Sequence, residues 1–154
     1  MLDPMLPTLL IAGLLSLTTT PSAAPCQDGG TSAGSQATTS RWHGHERLDF
    51  EVAGKAARLV VPANPAPGRP WVWRARFPDF HAEPDRILLE RGFHVAHVDT
   101  AGMLGSPRAM AIWDRFYDHL RTEHRLAAKP ALEGVSRGGL FVYHWASRHP
   151  GRVA

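Results

Sequence analysis

The chain has 154 residues, 44% of them hydrophobic and 20% charged, which is enough apolar side chain for one folded domain without membrane-like composition throughout. Its net charge of +3 comes from arginines and lysines scattered among acids, and no basic stripe of the kind that marks a nucleic-acid surface is present. The single cysteine, Cys26, excludes an internal disulfide and leaves the compartment open.

In chain order, Leu6 to Leu17 is an apolar run too short to cross a bilayer, and the small residues Ser22-Ala23-Ala24 follow it. Residues 1–24 therefore read as an export signal, which implies a periplasmic or extracellular protein. The acid at Asp3 and the lack of a preceding Lys or Arg depart from that pattern, and an N-terminal anchor or a mistaken start is the alternative. Residues 25–41 read as a flexible linker, because Gln27 to Ser40 is Gly, Ser, Thr and Ala with almost no large apolar side chain to offset the entropy of ordering. The folded portion is expected over 42–154.

Leu48, Phe50 and Val52 alternate with polar residues, and Ala53-Gly54-Lys55 turns the chain into Ala57 to Val61, which predicts an antiparallel hairpin. Trp71-Val72-Trp73 reads as a buried strand, Glu83 to Arg91 as a helix with Pro84 in its first turn and Gly92 at its stop, and Phe93 to Val98 as a further strand. Ile112, Trp113, Phe116, Tyr117 and Leu120 lay one apolar stripe along a helix from about Pro107 to His124, which is core packing and not a cofactor box. A short strand over Ala131 to Val135 leads to Ser136, and Leu140 to His149 reads as a helix apolar nearly all round, hence buried on several sides. This alternation predicts an α/β fold: a mostly parallel sheet with an N-terminal antiparallel hairpin and helices on both faces, its site at the carboxyl ends of the strands.

Gly134-Val135-Ser136-Arg137-Gly138-Gly139 between that strand and helix carries the chemistry. A turn sharp enough to hold a serine in a strained backbone leaves room only for small flanking residues, and it exposes the hydroxyl at a helix N-terminus. There the N–H groups and helix dipole favour the negative charge that develops when an ester carbonyl is attacked. The Arg137 N–H is the first expected oxyanion donor, with a bland serine in a tight turn as the alternative.

With these residues the stretch from Pro70 to Ala154 resembles the bacterial α/β-hydrolases, in particular a branch of mostly exported hydrolases. The resemblance rests on Pro70-Trp71-Val72-Trp73-Arg74-Ala75, on Gly92-Phe93-His94-Val95 leading to Val98-Asp99, on Gly105-Ser106-Pro107 and on Glu133 to Leu140. It implies Ser136 as nucleophile and a second oxyanion donor in Arg74 to Phe77, where matching strand ends gives the Arg76 N–H. It requires no cofactor. In that family an acid and a histidine follow the serine. Here no Asp or Glu does, and His144 sits about 12 Å of helix rise beyond Ser136, so neither it nor His149 is expected to act as base. The resemblance thus implies the N-terminal portion of a hydrolase domain, interrupted after the nucleophile helix.

His81 lies in the loop bordering the expected site, where it is either a solvated loop residue or a substrate-side one. No metal is expected, since His43 and His45 flank a glycine at the end of the linker and His94 and His97 are three apart on a strand, pointing to opposite faces. The Arg137 side chain is expected to pair with Glu133 or Asp99, with an acidic substrate as the alternative. The expected function is a serine hydrolase cleaving a small-molecule or carbohydrate ester through an acyl-enzyme on Ser136, without a nucleic-acid partner and without a membrane once the signal is removed. A non-catalytic fragment or a prolyl-oligopeptidase-like peptidase competes with it.

Overall fold

A computed structural model describes residues 37–154, so the expected signal and most of the expected linker lie outside the described residues. Regular structure extends at least to Thr38, four residues before the expected start, because Thr38–Trp42 (β1) pairs antiparallel with His45–Val52 (β2). The turn between them is His43-Gly44, both at positive φ, so His43 and His45 belong to a hairpin and not to a linker end. Polar composition hid β1: its only large apolar side chain is Trp42, which is buried and donates its indole N–H to Asp79 at 2.9 Å.

The expected second hairpin is present, with β2 paired to Lys55–Val61 (β3) across the Ala53-Gly54 turn. Trp71–Arg74 (β4), His94–Val98 (β5) and Ala131–Glu133 (β6) complete a six-stranded sheet of order β1-β2-β3-β5-β4-β6. The β1–β2, β2–β3 and β3–β5 pairings are antiparallel, and β4–β5 and β4–β6 are parallel. The sheet is therefore mixed, not mostly parallel; the unforeseen β1 and the direct docking of the hairpin on β5 shift the balance. Crossover connections need room for a helix, and only the two units β4-helix-β5 and β5-helix-β6 have it.

Helices cover both faces. Glu83–Glu90 (α1) packs Leu89 against Val60, Val72 and Val95, while Pro107–Thr122 (α2) and Gly138–Arg148 (α3) cover Leu59, Trp71, Trp73, Ala96 and Val98. The period of two along β4 makes this division: Val72 and Arg74 face α1, Trp71 and Trp73 face α2 and α3. Ser106 caps α2 by accepting the Ala109 N–H, Pro107 opens it, and its buried stripe of Ile112, Trp113, Phe116, Tyr117 and Leu120 is the one periodicity predicts. Its Trp113 stacks on Trp73 at 4.2 Å between ring centroids. The α3 helix departs from expectation. It buries Gly138, Phe141 and Trp145, but Leu140 and Tyr143 stand 51% and 80% exposed. One face suffices to bury it because α3 lies over β6, which is the edge of the sheet among the described residues.

Candidate functional site

The carboxyl ends of β4, β5 and β6 lie along one edge of the sheet, and the turn from β6 into α3 places Ser136 there. Strand β6 ends at Glu133, two residues sooner than the pattern suggests, and Gly134 to Arg137 form the turn. Ser136 is exposed with φ +51, a left-handed backbone that costs a non-glycine residue on the order of 1 kcal/mol. The surrounding glycines are there for space. A Cβ at Gly134 would sit 2.8 Å from the Gly139 nitrogen and 2.9 Å from its Cα, and one at Gly138 would sit 3.3 Å from the Arg76 Cβ. Gly139 itself faces open space.

Turn bonds from Gly138 N–H to Val135 O (2.8 Å) and Gly139 N–H to Ser136 O (3.0 Å) hold the bend. Among the described residues, nothing accepts from the Arg137 N–H or from the Arg76 N–H, whereas the Ala75 N–H donates to Glu133 O at 2.9 Å. A depression of about 260 Å³ lined by Phe77, Phe80, Val135 and Ser136 opens beside the hydroxyl. A second, of about 240 Å³, is lined by Arg76, Phe77, Pro78, His97, Asp99 and Ala101. His81 is exposed at φ +48 and packs edge-on against Phe80 with ring centroids 4.2 Å apart.

The Arg137 pairing expected from sequence is not formed. Glu133 is held by Arg74 at 2.7 Å, Asp99 accepts the Ala101 N–H at 2.8 Å, and Arg137 is exposed with no ion pair among the described residues. Competition explains this: Arg74 reaches Glu133 from the adjacent strand in register, across a buried surface, while Arg137 has water available. The histidines after Ser136 are engaged elsewhere, His144 Nδ1 with Gly105 O at 2.5 Å and His149 Nε2 with Asp114 at 2.9 Å.

Sequence reasoning missed a row of polar side chains beneath this edge. Arg58, His97, Arg74 and Glu133 occupy adjacent register positions on β3, β5, β4 and β6, all on the α1 face. Arg74 is 1% exposed and its guanidinium donates to Asp85 (2.9 Å), to Glu133 (2.7 Å) and to the carbonyls of Phe77 (3.1 Å) and Phe80. Arg58 donates to Pro78 O at 2.7 Å and to Asp79 at 2.9 Å. Burial works against ionisation of Asp79, but hydrogen bonds from Arg58 and Trp42 prevail and lower its pKa. Asp85 is fully buried, and burial together with the neighbouring Glu133 carboxylate raises its pKa to about 7 against the opposing pull of Arg74. His97 donates from Nδ1 to Arg74 O at 2.9 Å, and burial lowers its pKa to about 4 despite that bond. The one available signal was an arginine in the run Trp-Val-Trp-Arg: a charge continuing a buried strand must find partners.

No protein-family model matches the sequence, and no curated protein matches it. Solved structures do share the fold. Candida antarctica lipase A in its closed state is similar over 76% of this chain and 38% of its own, with a TM-score of 0.56 and 17% identity. A cold-adapted esterase from an Arctic intertidal metagenomic library is similar over 75% of this chain and 59% of its own, with a TM-score of 0.57 and 16% identity. Epoxide Hydrolase A from Mycobacterium thermoresistibile gives a TM-score of 0.50 and 25% identity over 77% of this chain and 37% of its own. The chain thus spans well under two thirds of the length of each. The fold is of the α/β-hydrolase type.

Proposed function

We propose that the chain carries the nucleophile portion of a serine hydrolase that cleaves carboxylic esters. The observation behind this reading is Ser136 itself: an exposed hydroxyl at φ +51 between β6 and α3, beside an apolar depression, in a fold shared with a lipase and an esterase. Ser136 Oγ attacks the ester carbonyl carbon, and the free Arg137 and Arg76 N–H groups hold the oxyanion of the tetrahedral intermediate. The C–O bond to the alcohol then breaks and leaves an acyl group on Oγ. Phe77, Phe80 and Val135 suit an apolar acyl chain, and the alcohol side is a small molecule or a carbohydrate. Residues 1–24 remain our proposal for an export signal.

The reaction needs a base that takes the Ser136 proton and returns it to the leaving alcohol. Among the described residues the two histidines that follow Ser136 are engaged elsewhere, so we expect acylation of this chain to proceed slowly with solvent as base. Deacylation is equally unassisted, so the acyl-enzyme accumulates. Incubation with p-nitrophenyl butyrate for hours is expected to add one butyryl group to the peptide containing Ser136, with no burst in the first seconds and no adduct in Ser136→Ala. Acylation spread over lysines, or undiminished in Ser136→Ala, would overturn the reading.

A further inference from the structure

The loop between β4 and α1 carries the proposed second oxyanion donor, yet it has few apolar anchors: Phe80 is 56% exposed and Phe77 and His81 are at positive φ. Such a segment needs something other than core packing to hold it. Two guanidiniums supply this from the α1 side. Arg74 donates to the carbonyls of Arg76 (3.4 Å), Phe77 and Phe80, and Arg58 to the carbonyl of Pro78. Arg76, whose N–H is the proposed donor, is thus held at its own carbonyl, and the peptides that follow it are held by the bonds to Phe77, Pro78 and Phe80. The same Arg74 guanidinium binds Glu133, the last residue of β6 and three before Ser136. Asp85 and Glu133 both accept from Nη1, while Nη2 and Nε serve the loop carbonyls, a spread of donors over three nitrogens that the single nitrogen of a lysine could not reproduce.

We propose that Arg74 is the positioning residue of the acyl-transfer site: from within the sheet it ties the Arg76–Phe80 loop to the strand end beneath Ser136 and so sets the spacing between the two oxyanion donors. This rests on the serine-hydrolase reading for its chemical consequence, but the tie itself does not. Removing one oxyanion donor costs an enzyme about 10²- to 10³-fold in rate, which bounds what a loosened loop forfeits.

The test uses the 154-residue chain and two variants, Arg74→Lys, which keeps the charge and loses the fork, and Glu133→Gln, which is nearly isosteric and partly exposed should the first fail to fold. Hydrogen-exchange mass spectrometry is expected to show exchange over residues 75–82 accelerated at least tenfold in each variant, with peptides from β5 and α2 unchanged. Butyryl transfer to Ser136 is expected to slow by about tenfold or more, up to the bound set by a lost donor. A loop as protected as in the parent chain would overturn the proposal, as would a loosened loop with undiminished acylation. Should the parent chain not acylate at all, the hydrolase reading falls, while the exchange data still decide whether Arg74 ties the loop.

Discussion

Gly134 and Gly139 stand five residues apart in one motif, and alanine should have opposite effects at the two. At Gly134 the new methyl would meet the Gly139 nitrogen at 2.8 Å, the Gly139 Cα at 2.9 Å and the Gly138 carbonyl carbon at 3.0 Å, all of them backbone. Ordinary contact begins near 3.4 Å, so the first turn of α3 must retreat by roughly half an ångström, dragging Phe141 and Trp145 from their packing. Overpacking of this kind costs about 1–3 kcal/mol, and the absence of any flexible side chain among the clashing atoms places Gly134→Ala at the upper end, about 2–3 kcal/mol. For a domain of this size that is a fall in Tm of roughly 10 °C. At Gly139 nothing lies within 4 Å, and alanine's better helix propensity, reduced in a first turn, gives a gain of about 0.5 kcal/mol. Urea unfolding followed by tryptophan fluorescence measures both. A Gly134→Ala chain as stable as the parent, or a Gly139→Ala chain destabilised to a similar degree, would refute the close-approach argument.

Ser136→Gly is expected to raise stability by about 1 kcal/mol, by relieving a left-handed backbone, while abolishing acylation; a loss of stability in the same unfolding assay would show that φ +51 is not strained. Arg137→Ala is expected to change stability by less than about 0.5 kcal/mol, since Arg137 has no ion pair among the described residues, and a thermal melt checks this. Asp85 and His97 pull stability in opposite directions with pH. The raised Asp85 pKa contributes stability that is complete below its unfolded value of 3.8 and is lost as pH rises toward about 7; the lowered His97 pKa contributes stability present above 6.5 and lost as pH falls toward about 4. In Asp85→Asn the first contribution disappears, so stability should rise more steeply from pH 4.5 to 6.5 than in the parent, by an amount approaching 1 kcal/mol per pH unit. Parallel pH profiles from urea titrations would contradict the assigned shift.

What the sequence made legible was set by periodicity and by the serine turn. The α2 stripe, the β2–β3 hairpin and the Trp71 strand were readable because apolar side chains recur at the spacing of their element, and the tight turn at Ser136 was readable because glycines crowd around it. Strand β1 was not, since Thr38, Thr39, Ser40 and Arg41 carry no apolar alternation and are held by the backbone ladder and the Ser40 hydroxyl on Asp49. The exposure of Leu140 and Tyr143 was equally hidden: composition shows that a helix is apolar, while sheet order decides how many of its sides are covered. The Arg58, His97, Arg74 and Glu133 row comes from four strands distant in sequence, and only the register of the sheet brings it together.

The indoles of Trp71, Trp113 and Trp145 gather around Trp73 at centroid distances of 5.5, 4.2 and 5.0 Å, with interplanar angles from 20° to 62°. Chromophores so close and so fixed couple their strong far-ultraviolet transitions, so the circular dichroism of this chain should carry an exciton contribution whose shape depends on how α2 and α3 are seated on β4. Because Trp145 rides on the helix that begins at the serine turn, that signature gives an optical gauge of the turn itself, readable without substrate or label.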